Sequence, residues 1–172
     1  MNLFLTGEVQ VGKSTLIRRL LEAHPDLRVG GFRTIPGLPR EDGTSDVHIV
    51  PAVGDVPLTE GNRVIRRRHT GQIPQVRAYP KVFDMIGCIL LERPEDHDLL
   101  LMDEIGIQEA EAFLFQRAVL RCLDGPTPVL GVVRNKPGAL TDAVRTHPNT
   151  KLVTVTAENR DAFYEELTQW TR

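Results

Sequence analysis

Residues 7–14 read Gly7-Glu8-Val9-Gln10-Val11-Gly12-Lys13-Ser14, a complete G-x-x-x-x-G-K-[ST] phosphate-binding loop. The apolar run Leu3-Phe4-Leu5 precedes the loop, and a helical pattern from Thr15 to Ala23 follows it. Strand, loop and helix in this order form the context in which the motif binds nucleotide phosphates. The sequence therefore predicts an α/β protein of the phosphate-loop class.

The residue types in this loop account for the expected chemistry. Gly7 and Gly12 permit turns that a Cβ would hinder and let the backbone approach the phosphates closely. Backbone N–H groups of the loop and the helix N-terminus supply donors and partial positive charge. Lys13 adds a point charge, and the Ser14 hydroxyl can bind Mg²⁺. The predicted nucleotide-binding residues are Gly7, Glu8, Val9, Gln10, Val11, Gly12, Lys13, Ser14 and Thr15.

Length and composition favour an ordinary globular protein. The chain has 172 residues, 41% hydrophobic and 26% charged, with a net charge of −2. One domain is expected, and no basic excess argues for nucleic acid. No apolar run of about 18 residues predicts a membrane span, and the early phosphate loop leaves no room for a secretory signal. Cys88 and Cys122 form no disulfide framework, which favours the cytoplasm.

Short apolar runs alternate with helical stretches, which predicts βαβ units and a mostly parallel sheet covered by helices, a three-layer fold. The predicted strands are Leu3–Thr6, Leu99–Met102, Val129–Val133 and Leu152–Val155. The predicted helices are Lys13–Ala23, Val82–Glu92, Gln108–Leu123, Leu140–Thr146 and Arg160–Thr171, with Trp170 as a packing residue.

Residues 29–81 are richer in Gly and Pro and carry four short extended pieces. We interpret them as an antiparallel strand and loop insertion at one edge of the sheet, within a single domain that spans residues 1–172. The extended pieces are Val29–Thr34, Val47–Pro51, Arg63–Arg66 and Val76–Tyr79. Pro36 to Thr44 and Arg66 to Gln72 are expected to be mobile loops.

A second motif is the apolar strand Leu99–Met102, which ends in Asp103 and Glu104. In phosphate-loop enzymes such a strand is expected beside the loop-bearing strand, with its terminal Asp in the Mg²⁺ shell. Asp103 suits that role, and Glu104 can orient or deprotonate a water near the γ-phosphate. Alone, two acids after a strand can equally be helix caps or solvated turn residues.

Five segments occur in an order that resembles the cancer-related nucleoside-triphosphatase family, also described from thermophiles. They are Gly7 to Ser14, Val29-Gly30-Gly31-Phe32-x-Thr34, Pro74-x-Val76-x-x-Tyr79, Asp103-Glu104-Ile105-Gly106 and Thr156-x-Glu158-Asn159-Arg160. The resemblance implies a fold similar to adenylate-kinase-like and RecA-like proteins. It also implies Mg²⁺-dependent hydrolysis of nucleoside 5′-triphosphates to diphosphates with relaxed base preference.

By matching position, the resemblance implies that Lys13, Ser14 and Thr15 hold phosphates and metal, and that Asp103 and Glu104 hold metal and water. The chain departs from the family pattern in three places. Ile107-Gln108-Glu109 stands where Lys-Met-Glu is common, Arg33 where an aromatic is frequent, and Arg77-Ala78 where a Gly is usual.

Several further residues admit two interpretations. Any of Arg66, Arg67, Arg68 or Arg134 can act as an arginine finger on the γ-phosphate, with Arg33 and Arg40 as weaker candidates, or the run at 66–68 is a solvated loop. Arg134-Asn135-Lys136-Pro137-Gly138 is similar to a guanine-reading motif, but Gly138 replaces its Asp. Strict guanine specificity is therefore not expected. Asn159 can cap the last helix or contact base or ribose.

The residues predict catalysis by Glu104 and Lys13, Mg²⁺ on Ser14 and Asp103, and hydrolysis of ATP, GTP and other triphosphates. A kinase, or an accessory protein in nucleotide-cofactor maturation, is an alternative that needs an acceptor pocket within residues 33–80. A nucleotide-gated protein that acts on an unknown protein partner is another.

Overall fold

An eight-stranded mixed sheet organises the chain. The computed structural model describes residues 1–69 and 71–170, the last two by their backbone alone. Strands β1 to β8 are Asn2–Thr6, Val29–Pro36, Thr44–Pro51, Arg63–Arg68, Gln75–Ala78, Leu99–Ile105, Val129–Val133 and Thr150–Thr154. Their order across the sheet is β5-β4-β3-β2-β6-β7-β1-β8.

The sheet is parallel from β2 to β8 and antiparallel from β2 to β5. This confirms the predicted α/β class with an antiparallel extension at one edge. Two details of the prediction were wrong. Strand β2, assigned to the antiparallel insertion, pairs in parallel with β6. Strand β7, whose five residues are all buried, lies between β1 and β6, which were expected to be neighbours. A strand buried on both faces is stable only inside the sheet.

Within the described residues, six α-helices lie between or after these strands. Helices α1 to α6 are Lys13–Ala23, Pro80–Val82, Cys88–Leu90, Phe113–Asp124, Ala139–Thr146 and Arg160–Trp170, and a π-helical segment, Phe83–Gly87, joins α2 to α3. The single helix predicted for Val82–Glu92 is therefore interrupted. Short 3₁₀ turns occupy Glu60–Asn62 and Pro94–Asp96. The predicted end of the last helix at Thr171 and the packing of the Trp170 side chain lie outside the described residues.

Helix α4 begins at Phe113, five residues later than the predicted Gln108. The first turn of a helix leaves backbone N–H groups without partners inside the helix. Here the carboxylate of Asp84, in the π-helical segment, accepts a hydrogen bond from the Phe115 N–H at 2.9 Å. The residues before the helix form turns in which the Glu109 carboxylate accepts the Gly106 N–H at 3.1 Å. The apolar pattern alone could not reveal either contact.

Two hydrophobic cores lie on opposite faces of the sheet, as strand alternation requires. Leu3 and Leu5 of β1 pack with α1 and α6, whereas Phe4 belongs to the core that contains residues of α4 and α5. This arrangement gives the predicted three layers and fixes the carboxyl ends of the parallel strands, where the phosphate loop begins. No helix in residues 1–69 and 71–170 is long and apolar enough to cross a bilayer.

Candidate active site

The phosphate loop connects β1 to α1 in a conformation that needs glycine at its two defining positions. Gly7 has φ of +134°, and a Cβ there would lie 2.4 Å from the Val155 carbonyl oxygen. Gly12 has φ of +102° and closes on the side chain of Arg160, whose Cδ would lie 3.1 Å from an added Cβ. Any residue other than glycine would therefore be strained at either position. The loop rests against the connection between β8 and α6.

The Lys13 side chain folds back over the loop. Its Nζ donates hydrogen bonds to the Gly7 carbonyl at 3.0 Å and the Glu8 carbonyl at 2.6 Å, and the residue is 9% exposed. Burial lowers the pKa of this ammonium, while the carboxylates of Glu104 and Asp103 oppose that shift. The ammonium is thus a partly desolvated cation beside two acids.

Ser14 of α1 and Asp103 of β6 meet across the cleft, although β7 separates β6 from β1, the strand that precedes the loop. The Ser14 hydroxyl donates to Asp103 Oδ1 at 3.3 Å. Burial raises the pKa of the Asp103 carboxyl, and the Ser14 hydrogen bond and the Lys13 charge act against that rise. A cation placed between these two oxygens would relieve the burial cost of the carboxylate.

Glu104 forms an ion pair with the Arg134 guanidinium, which follows the adjacent strand β7. The pairing of β6 with β7 shifts register between Asp103 and Ile105, so Glu104 is an extra residue in the ladder. Such irregularities change the direction of a side chain. The Glu104 N–H also donates to the Thr34 hydroxyl at 3.4 Å. The predicted catalytic acid therefore lies between β2 and β7, held by a cation.

A cleft of about 1150 Å³ surrounds these groups. Besides the loop residues Gly7 to Thr15, it is lined by Glu104, Arg134–Lys136 and Thr154–Glu158. The structure thus brings every predicted nucleotide-binding residue to one cleft, together with Glu104. Asp103 lies next to this cleft, where its carboxylate contacts the Ser14 hydroxyl.

Asn159 lies in the connection from β8 to α6. Of the two roles considered for it, cap of the last helix or contact with base or ribose, the structure excludes the first. The Asn159 N–H donates to the Thr156 hydroxyl at 3.2 Å, and the Asn159 Oδ1 accepts the Thr156 N–H at 2.8 Å. This reciprocal pair is a capping box in which Thr156 is the cap, so Asn159 is not the N-cap residue. Its Nδ2 donates to the Thr154 carbonyl at 2.8 Å, which engages the remaining end of the amide.

The arginine run at 66–68 is part of β4 and not a mobile loop, which corrects the sequence prediction. Arg66 donates to the buried carboxylate of Asp46 at 2.8 and 3.1 Å, and Arg40 donates to the same group at 2.6 Å. Hydrogen bonds from Arg66 hold the pKa of Asp46 well below its usual range. Arg66 and Arg40 therefore stabilise the antiparallel region and do not face the phosphate loop.

Arg67 points the other way, because successive side chains of a strand alternate between faces. It lines a second cavity with Glu104 and Arg134. Burial lowers the pKa of its guanidinium, and the charge of Arg134 adds to that effect. Arg68 is exposed at the end of the strand. Arg33 donates to the carbonyls of Pro51 and Gly54, at 3.2 and 2.6 Å. Of the arginines predicted as candidates, Arg67 and Arg134 are the two that line the site.

Sequence analysis missed Glu109. This residue is 3% exposed and lines the second cavity, and burial raises the pKa of its carboxyl. Two signals were present in the sequence: its position three residues after Gly106 of the acidic segment, and its match to the Glu of the Lys-Met-Glu segment in the resembling family. The first marks a turn as readily as a site.

The donor set suits Mg²⁺, which prefers hard oxygen ligands and keeps several waters. Ser14 Oγ and Asp103 Oδ1 are such ligands. In the described part of the chain no group of three or more His, Cys, Asp or Glu could hold a metal ion alone. A cation at Ser14 would therefore complete its shell with phosphate oxygens and water, as is usual for nucleotide-bound Mg²⁺.

The fold has three layers and carries a phosphate loop, and the acidic end of strand β6 meets that loop. Together these features define the class of phosphate-loop nucleotide enzymes. Comparison with known proteins identifies the family. The NTPase family model matches residues 2–168, so the chain belongs to this family and is an enzyme of the nucleoside-triphosphatase class.

Individual relatives agree. The chain is 27% identical over 183 residues to nucleoside-triphosphatase THEP1 of Methanopyrus kandleri, covering 96% of this chain and 92% of the relative. It is 29% identical over 181 residues to the cancer-related nucleoside-triphosphatase homolog of Bos taurus, with 96% and 94% covered.

Two solved structures share the fold. The crystal structure of THEP1 from Aquifex aeolicus matches with a TM-score of 0.76 at 23% identity, over 100% of this chain and 99% of that chain. The solution structure of a human cancer-related nucleoside triphosphatase matches with a TM-score of 0.67 at 27% identity, over 99% and 97%. These matches confirm the predicted fold class.

Proposed function

We propose that this enzyme hydrolyses nucleoside 5′-triphosphates to the diphosphate and inorganic phosphate with Mg²⁺. One observation carries the proposal. The Ser14–Asp103 contact at 3.3 Å joins the phosphate loop to the acidic strand end, and Glu104 follows directly in the same cleft. A phosphate-binding loop supplies the substrate site, and a second acid beyond the metal-binding Asp supplies a base for water.

Binding is proposed to begin with an exchange of hydrogen bonds at Lys13. Its ammonium donates to two loop carbonyls, which are neutral acceptors. Phosphate oxygens carry full charge and form stronger bonds with an ammonium. The loop N–H groups bind the same phosphates, and Thr15 follows at the helix N-terminus.

Ser14 and Asp103 would hold Mg²⁺, which when bound neutralises phosphate charge and fixes the orientation of the triphosphate. Arg134 is proposed to bind the γ-phosphate. Because that group carries more negative charge than a carboxylate, it competes with Glu104 for the guanidinium. Glu104 is then able to accept a proton from the attacking water.

Arg67 is the proposed arginine finger. It lies near Glu104 and Arg134, and its guanidinium forms no hydrogen bond or ion pair with any residue in 1–69 or 71–170. A free, partly buried guanidinium stabilises the charge that develops on the transferred phosphoryl group without breaking other contacts.

Base preference is proposed to be loose. Gly138 replaces the Asp of the guanine-reading motif, and its N–H donates a hydrogen bond to the Asp142 carboxylate at 3.1 Å. Asn135, Lys136 and residues 156–158 line the cleft beyond the loop. Without a buried carboxylate for the guanine edge, little rejects a wrong base. The cytoplasmic location expected from the two cysteines stays a prediction.

Phosphate release measured with ATP, GTP, CTP and UTP, with Mg²⁺ and again with excess EDTA, tests the proposal. Equal amounts of diphosphate and phosphate with Mg²⁺, and none with EDTA, are expected. Absence of turnover with every triphosphate would refute it.

A further inference from the structure

A second cavity of about 210 Å³ adjoins the phosphate cleft. Ser14, Glu104 and Arg134 line both spaces. These residues surround the position proposed for the γ-phosphate, so the cavity adjoins the reacting group.

The cavity is larger than hydrolysis requires. One water occupies about 30 Å³ in the liquid, so this space corresponds to roughly seven water molecules or a molecule of about seven non-hydrogen atoms. Hydrolysis needs one positioned water and the water shell of Mg²⁺ at Ser14 and Asp103, which also line this cavity. The part of the cavity beside Glu109 and the apolar wall has no role in the proposed hydrolysis.

Two side chains in the wall have polar atoms without protein partners. The Oε2 atom of Glu109 forms no hydrogen bond within the described residues, although the atom is buried and the residue is only 3% exposed. Arg67 likewise pairs with no acid in that part of the chain. Burying such groups without partners is costly, and sites that bind polar ligands commonly accept this cost. The rest of the wall includes the apolar Val47, Ile65 and Phe83.

We propose that this cavity is an acceptor site for a small dihydroxy acid, and that the enzyme transfers the γ-phosphoryl group to it. The carboxylate of the acid binds one edge of the Arg67 guanidinium, whose other N–H donors remain for the γ-phosphoryl group. One hydroxyl donates to Glu109 Oε2, and the other faces the γ-phosphate beside Glu104. This inference rests on the γ-phosphate position of the proposed function and adds a second outcome to the same reaction.

The transfer step is balanced without a further reactant. The hydroxyl oxygen of the acid forms a bond with the γ-phosphorus, while the bond from that phosphorus to the β–γ bridging oxygen breaks. The hydroxyl proton passes to Glu104 and then to solvent. The products are a nucleoside diphosphate and a phosphomonoester of the acid. Water and the acid compete for the same phosphoryl group.

The test uses racemic glycerate, which has seven non-hydrogen atoms, and 3-hydroxypropanoate, which lacks the second hydroxyl. Diphosphate and free phosphate are both measured with Mg·ATP, and ³¹P NMR detects the ester. With glycerate, diphosphate should exceed free phosphate at least about twofold. With 3-hydroxypropanoate, the excess should be several times smaller, because Glu109 is left without its donor.

Two variants fill the cavity from its apolar wall, Ile65→Phe and Val47→Met, and either suffices if the other fails to fold. Each should hydrolyse ATP at the wild-type rate and lose transfer to glycerate. Val76→Phe, at an exposed position on β5, is the matched control and should keep both activities.

Equal diphosphate and phosphate from the wild-type enzyme with glycerate would overturn the inference, as would undiminished transfer by the filled variants. Failure of the proposed hydrolysis looks different, because no diphosphate would then form when the acceptor is absent.

Discussion

The Glu104 carboxylate is paired with the Arg134 guanidinium at the carboxyl ends of two neighbouring strands. A carboxylate held by a cation is a poor base, so this pair must open for Glu104 to activate water. We propose that the γ-phosphate competes with Glu104 for the Arg134 guanidinium. Binding of a triphosphate would then release the base, and a diphosphate would not produce the same release.

Lys13→Ala should abolish turnover and weaken binding of Mg·ATP by at least about tenfold. The ammonium is the only side-chain cation within the loop, Gly7 to Ser14. Losing a charge-assisted hydrogen bond costs about 1.5–3 kcal/mol, which supports this magnitude. Isothermal titration with a non-hydrolysable ATP analogue measures binding, and near-normal hydrolysis by the variant would contradict the assignment.

Arg67→Gln should lower kcat about a hundredfold or more while leaving binding of the diphosphate product unchanged. The guanidinium is proposed to act on charge that develops only at the γ-phosphate, which the product lacks. Steady-state kinetics and titration with ADP separate the two effects.

Arg68→Gln is the matched control, since Arg68 is exposed at the end of the same strand. It should show wild-type kinetics. If Arg67→Gln also behaved as the wild type, Arg67 would have no role in the hydrolysis step.

Asp46→Asn should lower the free energy of unfolding by about 1.5–3 kcal/mol at pH 7, since it removes an acceptor buried among arginines. Asp55→Asn, at a fully exposed acid, should change it by less than about 0.5 kcal/mol. Urea unfolding followed by circular dichroism measures both. An equal effect of the two substitutions would contradict the structural role given to Asp46.

The same cluster predicts a pH dependence of stability. Arg66 depresses the pKa of Asp46 in the folded protein, so its contribution is present above the ordinary value of about 4 and is lost as pH falls through the lower folded value. The stability difference between wild type and Asp46→Asn should therefore shrink below about pH 4. A difference that grew towards acid pH would have the wrong sign.

ATP and GTP should be hydrolysed with kcat/KM values within about one to two decades of each other. The cleft holds Asn135 and Lys136 but no acid at Gly138 to read guanine. Parallel kinetics with the four common triphosphates test this, and dependence on a single base would overturn it.

Local sequence predicted the parts of the site that depend on short segments. The phosphate loop requires glycines at fixed spacing, and an apolar strand that ends in acids is visible without its neighbours. For this reason Gly7, Lys13 and Glu104 were identified from the chain alone and lie in one cleft.

Long-range pairing decided what the sequence could not predict. Alternation along β4 separates Arg66 from Arg67, but only the pairing of β4 with β3 and β5 determines which face meets the site. The position of β7 between β1 and β6 likewise depends on partners distant in sequence. Glu109 was missed because only the folded chain places it in one cavity with Ile65 and Arg67 of β4.

The central claim is that Glu104 activates water while Ser14, Asp103 and Lys13 bind the nucleotide. Single-turnover hydrolysis by Glu104→Gln, measured beside its affinity for Mg·ATP, tests this most directly. If Glu104 is the general base, the variant should bind Mg·ATP with an affinity within about threefold of wild type. Its rate of hydrolysis should be lower by roughly 10²–10⁴, the usual contribution of a positioned general base. Hydrolysis at the wild-type rate, or an affinity lost in proportion to the rate, would contradict it.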